Sequence, residues 1–125
     1  MEPVIIEDDL TARIIECIIR VHQALGPGFI ESVYKKAMIV ALRKQGLTVD
    51  TERKFKILYE GELVGQHRID LLVADKVIVE LKTVEDLHKV HYAQIRSYLK
   101  ATGLRVGILV NFSKDRADYR RIESH

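Results

Sequence analysis

The stretch spanning residues 68–82, RIDLLVADKVIVELK, constrains the fold more than any other part of this 125-residue chain. Its two apolar runs, Leu71-Leu72-Val73 and Val77-Ile78-Val79, lack the polar alternation of a half-solvated strand. Strands of this kind must be covered on both faces. Residues 74–76, centred on Asp75, read as the turn between them. The segment therefore predicts two adjacent strands in the interior of a sheet that carries helices.

The remaining chain supplies those helices. Over residues 9–25 apolar side chains recur at helical spacing, at Ile14, Ile15, Ile18, Ile19, Val21 and Leu25, until Gly26-Pro27-Gly28 stops the helix. A second helix is predicted over 30–45, with Ile30, Val33, Tyr34, Ala37, Met38, Ala41 and Leu42 on one side and Gly46 at its end. Residues 47–59 read as a strand, Glu60-Gly61-Glu62 as a turn, and 63–73 and 77–81 as further strands. Helical spacing returns over 87–101 and ends at Gly103. A short apolar strand is expected over 104–110, and an edge strand over 119–123. The order ααβββαβ, with that edge strand last, predicts one α/β domain over 1–125, a mixed sheet with helices upon it.

Charge is out of place inside the hairpin. Side chains alternate across a strand, so Glu80 and Lys82 share one face while Val79 and Leu81 share the other. A turn centred on Asp75 sets Asp70 opposite Glu80. Directly paired β-carbons lie about 5 Å apart, and two like charges at that separation repel by roughly 3 kcal/mol at an effective dielectric near 20. Either this face is solvated, or something offsets the repulsion. Lys82 is one candidate. A divalent cation is a better one, since carboxylate oxygens are natural ligands of Mg²⁺ and Mn²⁺.

Two other segments bear on the same chemistry. LGPGFIESVY puts Glu31 in the first turn of a helix, where an acid favours the helix dipole and needs no further role; the preceding glycine turn also permits close approach to another element, so that the alternative is a third oxygen ligand. In HYAQIRSYL, Gln94 and Tyr98 lie one helical turn apart and point the same way. Tyr98 suits a core aromatic with its hydroxyl at the rim, whereas the Gln94 amide suits a phosphate or a water.

Composition excludes several classes. The formal net charge of +2 neither demands nor forbids a polyanionic partner. The single Cys17 can form no internal disulfide and no zinc site alone, which fits a reducing cytoplasm. MEPVIIEDDL lacks the basic and apolar regions of a signal peptide. No apolar run reaches the roughly 18 residues of a membrane span, and no glycine-rich phosphate loop appears.

Taken in order, Glu31, Asp70, Glu80-Leu81-Lys82, Gln94 and Tyr98 resemble the PD-(D/E)xK nuclease superfamily. The segment Gly28-Phe29-Ile30-Glu31-Ser32-Val33-Tyr34 is similar to the motif of the GxxExxY protein family, a small branch of that superfamily, and the likeness runs from about Leu10 to Asn111. It implies a restriction-endonuclease-like αβββαβ core with an extra N-terminal helix, a mixed α+β sheet. It further implies that Asp70 and Glu80 bind Mg²⁺ or Mn²⁺ with help from the Leu81 carbonyl and from Glu31. Lys82 would then orient or deprotonate the attacking water and stabilise charge on the phosphate. Gln94 and Tyr98 resemble the glutamine and tyrosine of RecB-type nucleases. One departure is Ile69, which stands where the motif has proline.

Phosphodiester hydrolysis requires these residue types. A divalent ion lowers the pKa of its water and neutralises charge at the phosphate. Lys82 brings the cluster's positive charge and suits charge stabilisation better than proton abstraction, because nearby carboxylates keep an ammonium protonated. Lys35, Lys36, Arg43 and Lys44 form a basic helix face, and Arg53, Lys54 and Lys56 a basic strand. Such runs are either solvated faces or tracks for a phosphate backbone. His88 and His91 are three apart, a spacing that can suit metal ligands but fits a solvated helix face or a phosphate contact better. The expected partners are nucleic acid, DNA above RNA, and a second copy of the chain, since a domain of this size has little surface for gripping a duplex. An unidentified protein partner is the further option, and a catalytically inactive binding or assembly module is the alternative function.

Overall fold

The computed structural model describes residues 8–124. The acidic N-terminal segment, unlike a signal peptide in its sequence, lies largely outside them. Helix α1 covers Asp8–Leu25 and α2 covers Glu31–Lys44. In α1 the buried stripe is Ile14, Cys17, Ile18 and Val21; in α2 it is Tyr34, Met38 and Leu42, spaced by four. Each stripe keeps to one side of its helix, and the two pack together on one face of a sheet.

That sheet holds five strands in the order β1-β4-β5-β6-β7. They are β1 (Val49–Asp50), β4 (Leu71–Val73), β5 (Val77–Lys82), β6 (Val106–Asn111) and β7 (Asp118–Glu123). Only the β5–β6 pair is parallel, with α3 (Lys89–Thr102) as the crossover. The continuous apolar runs are explained by this placement: every residue of β4 and β6, and β5 up to Leu81, is buried. Leu71, Val73, Val79 and Leu81 face α1 and α2, whereas Leu72, Ile78 and Leu109 meet Ile95 and Leu99 of α3. Close packing there needs a glycine. A β-carbon on Gly107 would lie 2.7 Å from Ile95 Cδ1.

Two predicted strands are each split. Residues 47–59 form β1 and then β2 (Lys54–Tyr59), and residues 63–73 form β3 (Glu62–Arg68) and then β4. The breaks face each other and are joined where Ile69 N–H donates to Arg53 O at 3.0 Å. Strands β2 and β3 thus leave the main sheet as a separate two-stranded hairpin. Its base packs on α3 through Phe55, while Ile57, Leu58, Tyr59, Leu63 and Val64 are exposed. The edge strand expected over 119–123 is present as β7, paired antiparallel to β6.

The β4–β5 turn has the expected centre. Ala74 and Asp75 carry φ of 52° and 57°, and Lys76 N–H donates to Val73 O at 3.0 Å. Positive φ at both central positions matches the twist of antiparallel strands, and aspartate tolerates it better than most residues. The register follows: Leu71 opposes Val79, Leu72 opposes Ile78, and Val73 opposes Val77.

Candidate active site

One step beyond Leu71–Val79 in that register, Asp70 meets Glu80. The two are tied reciprocally: Asp70 N–H donates to Glu80 Oε1 at 3.3 Å, and Leu81 N–H donates to Asp70 Oδ2 at 2.9 Å. Glu80 is 6% exposed, yet Lys82, two residues on, is only half-buried. The cluster therefore stands where β5 leaves the core, at its carboxyl end, the usual place for sites in sheets with parallel strands. Beyond Lys82 the chain is pinned by buried Asn111, its partner in β6. The Asn111 amide donates to Val84 O at 2.8 Å and its carbonyl accepts from Val84 N–H at 3.1 Å.

Glu31 arrives from the opposite layer. It is the first residue of α2 and is exposed. The turn before it is held by Tyr34, whose buried hydroxyl donates to Gly26 O at 2.5 Å and accepts from Phe29 N–H at 3.2 Å. Tyr34 also stacks on Phe112, centroids 4.6 Å apart. Tyr34 thus anchors the glycine turn that aims Glu31, a role its helical spacing alone does not reveal. Although the residue as a whole is exposed, partial desolvation of its carboxyl pushes it up, Asp70 adds to the rise, and Lys82 and Lys35 oppose it. Three elements distant in sequence therefore share one electrostatic neighbourhood.

Glu80 is the most perturbed acid of the cluster. Burial and then the Asp70 charge push its carboxyl up to about 9, and the opposing pull of Lys82 is the weakest of the influences on it. Lys82 thus does not neutralise the pair. A buried carboxyl beside a second one, with the Leu81 backbone alongside, is a hard-oxygen donor set that suits Mg²⁺ or Mn²⁺. Among the described residues, no three His, Cys, Asp or Glu side chains are gathered into a ready-made cage.

The α3 side carries Tyr98 and Gln94. Tyr98 is half-buried, and burial together with Glu80 and Asp70 pushes its phenol up to about 12, keeping it a neutral donor. Gln94, one turn earlier, is exposed. His67 of β3 joins this edge of the site. Its ring stacks on Tyr98 with centroids 3.8 Å apart and planes at 19°, and its Nε2 lies 3.9 Å from Glu80 Oε1. Burial holds His67 below the ordinary imidazole value, with Asp70 pulling the other way. Strand alternation hides this residue: counted along one unbroken strand, His67 and Asp70 face opposite sides, and only the break at Ile69-Asp70 brings them together.

The remaining candidates lie further out. His88 and His91 meet at the start of α3, where His88 N–H donates to His91 Nδ1 at 2.9 Å. Lys35 and Lys36 lie on α2, and Lys54 opposes Arg68 at the base of the β2–β3 hairpin. Arg68 and Arg53 approach acids, at 3.6 Å from Glu52 and 3.2 Å from Asp50.

The sequence matches the family model of the PD-(D/E)XK nuclease superfamily over residues 8–122. No curated protein matches it. Among solved structures, the fold resembles SSO0001, at 17% identity and a TM-score of 0.59, covering 94% of this chain and 60% of that one. The chain therefore spans about 60% of the length of that neighbour. It also resembles an alkaline exonuclease, LHK-Exo, from Laribacter hongkongensis, at 15% identity and a TM-score of 0.56, covering 100% of this chain and 73% of that one. The dAMP complex of LHK-Exo aligns at 13% identity and a TM-score of 0.52, covering 86% of this chain and 76% of that one. At these identities the likeness establishes a restriction-endonuclease-like architecture, a mixed sheet with helices on it.

Proposed function

The chain belongs to the PD-(D/E)XK nuclease superfamily, and from that membership we propose that it is a single-domain, divalent-metal-dependent nuclease hydrolysing phosphodiester bonds in DNA. The observation that carries this reading is the register that sets Asp70 against Glu80, with Lys82 on the same face at the end of β5. The dAMP complex of LHK-Exo supports DNA over RNA. Gly28, Glu31 and Tyr34 support the GxxExxY branch, since Tyr34 secures the turn that presents Glu31. No helix among the described residues is long and apolar enough to cross a membrane. The lone Cys17 is free and buried, which suits a cytoplasmic setting.

In this reading Asp70, Glu80 and the Leu81 carbonyl hold Mg²⁺ or Mn²⁺, with Glu31 as an added oxygen donor. When bound, such an ion activates water and neutralises charge at the phosphate. The chain's own residues do the rest. Lys82 places a positive charge beside the scissile phosphate, and Tyr98, kept protonated, donates a hydrogen bond there. Gln94 orients the phosphate or a water from the outer turn of α3. Lys35, Lys36, Lys54, His88 and His91, further out, hold the substrate backbone. A second copy of the chain supplies the grip that one small domain lacks, and structured DNA such as a flap or junction is the favoured substrate.

A cleavage panel of single strand, duplex, flap and four-way junction, with Mg²⁺, Mn²⁺ or EDTA, tests the proposal. Metal-dependent cutting abolished by Asp70→Asn supports it. A protein that neither binds Mn²⁺ by calorimetry nor cuts any substrate refutes it. A second reading, a binding or assembly module that keeps the nuclease fold, is favoured by one observation: the described residues hold no preformed three-ligand cage. Nucleic-acid binding without Mn²⁺ binding would select that reading.

A further inference from the structure

His67 Nε2 is buried and has no hydrogen-bond partner. Buried polar atoms are nearly always paired, so an orphan of this kind calls for a partner that the protein itself does not supply. Across the site from it lies Glu80 Oε1, at 3.9 Å. That is too long for a hydrogen bond. A small divalent ion about 2.1 Å from each donor, however, spans separations up to about 4.2 Å.

The nitrogen is also held in place. The ring lies flat on Tyr98, 3.8 Å between centroids, and tilts against Phe55 at 5.6 Å. Packing of this kind is served equally well by phenylalanine. It explains the ring and leaves unexplained a nitrogen directed at the acids. A neutral imidazole offers one lone pair, and a donor already fixed by aromatic neighbours binds without first being ordered.

Resting on the metal-dependent reading above, we infer that His67 is a nitrogen ligand of the divalent ion, set across from Glu80, and that it makes the centre favour transition ions such as Mn²⁺ over Mg²⁺. The preference follows from donor chemistry. Carboxylates and carbonyls suit Mg²⁺, whereas an imidazole adds affinity that rises along the first-row series. His67 comes from β3, outside the hairpin that bears Asp70 and Glu80, so the β2–β3 arm contributes directly to the centre.

His67→Phe keeps the aromatic stack and removes both nitrogens. Titration calorimetry with Mn²⁺ and with Mg²⁺, together with pulsed electron paramagnetic resonance of bound Mn²⁺, reads the outcome. The wild type should show ¹⁴N modulation from a coordinated imidazole. His67→Phe should lose it, with Mn²⁺ affinity falling about 10- to 100-fold, as for disturbance of a metal's supporting shell or more. Mg²⁺ affinity should fall less, and the metal-free thermal melt should not move. A His88→Gln/His91→Gln double variant should keep the modulation. Two results overturn the inference alone: Mn²⁺ bound in an Asp70-dependent way without ¹⁴N modulation, or modulation that survives His67→Phe. Absence of Mn²⁺ binding in the wild type overturns the metal-dependent reading as well.

Discussion

Replacing Glu80 by glutamine should stabilise the metal-free protein, and by an amount that depends on pH. The Glu80 carboxyl is 6% exposed, and burial beside Asp70 pushes it up to about 9, against an ordinary value of 4.5. Between those values the folded chain keeps a proton that the unfolded chain has released. The unfolded state then binds fewer protons, so stability is full below pH 4.5 and is lost as pH rises towards 9. Each unit is worth about 1.4 kcal/mol. At pH 7 the loss reaches about 3 kcal/mol, a large share of a small domain's stability. The amide of the Glu80→Gln variant carries no charge, accepts from Asp70 N–H as the carboxylate does, and donates to the Asp70 carboxylate. Urea unfolding in EDTA at pH 5, 6, 7 and 8 measures the effect. With a slope near 1.5 kcal/mol per molar, Glu80→Gln should raise the pH 7 midpoint by about 2 M. Its midpoint should also stay nearly flat with pH while that of the wild type falls. Parallel curves for the two proteins, or a wild type that gains stability with pH, would refute the reasoning.

Asp70→Asn should abolish cleavage and reduce Mn²⁺ affinity by calorimetry, while the melting temperature in EDTA holds or rises because the Asp70 charge no longer opposes ionisation of Glu80. Lys82→Ala should leave Mn²⁺ affinity within a few-fold and lower single-turnover cleavage by about 10²- to 10³-fold, the usual cost of losing one charge-stabilising group. Lys54→Gln with Lys56→Gln should weaken DNA binding uniformly across sequences and reduce the salt slope by about two, read by anisotropy from low to moderate salt. Gly107→Ala should destabilise by about 1–3 kcal/mol, since its β-carbon would lie 2.7 Å from Cδ1 of fully buried Ile95, whose side chain must repack to admit it; a thermal melt checks this.

Much of the acid pair is readable from the chain because a hairpin obeys simple arithmetic. Once the turn is centred on Asp75, Asp70 and Glu80 must oppose each other, and Leu72 and Ile78 must share their face. The helices are equally legible, since Ile14, Ile18, Tyr34, Met38 and Leu42 repeat at the spacing their packing requires. The strand break at residues 69–70 is not legible, because charged and apolar residues keep alternating through Arg68-Ile69-Asp70-Leu71; the break at 51–53 leaves only the polar run of residues 50–54, which an exposed strand also tolerates. With those breaks go both the β2–β3 hairpin and the approach of His67 to Glu80. Tyr34 shows a different limit. Its place on the core face follows from periodicity, but its hydroxyl's hold on Gly26 depends on a loop conformation that no spacing encodes. The exposure of Gln94 and the mutual contact of His88 and His91 likewise depend on where α3 begins, at Lys89.

The β4–β5 hairpin also has a consequence for the descent of such a site. Asp70 and Glu80 stand ten residues apart and are joined by a turn that closes on itself through Val73 and Lys76. Loops this short close quickly and at little entropic cost. The pairing of the acids is therefore set within residues 69–82 by their own turn, while neighbouring strands and helices supply the cover both faces need. Scission at Glu60-Gly61 leaves that segment whole, whereas scission at Ala74-Asp75 divides it. Glu31, His67 and Tyr98, each borne by a different element, are the interchangeable parts. Drift in the helices and in the exposed arm can retune the surroundings of the acids, or replace a neighbour outright, while the acids keep their partnership.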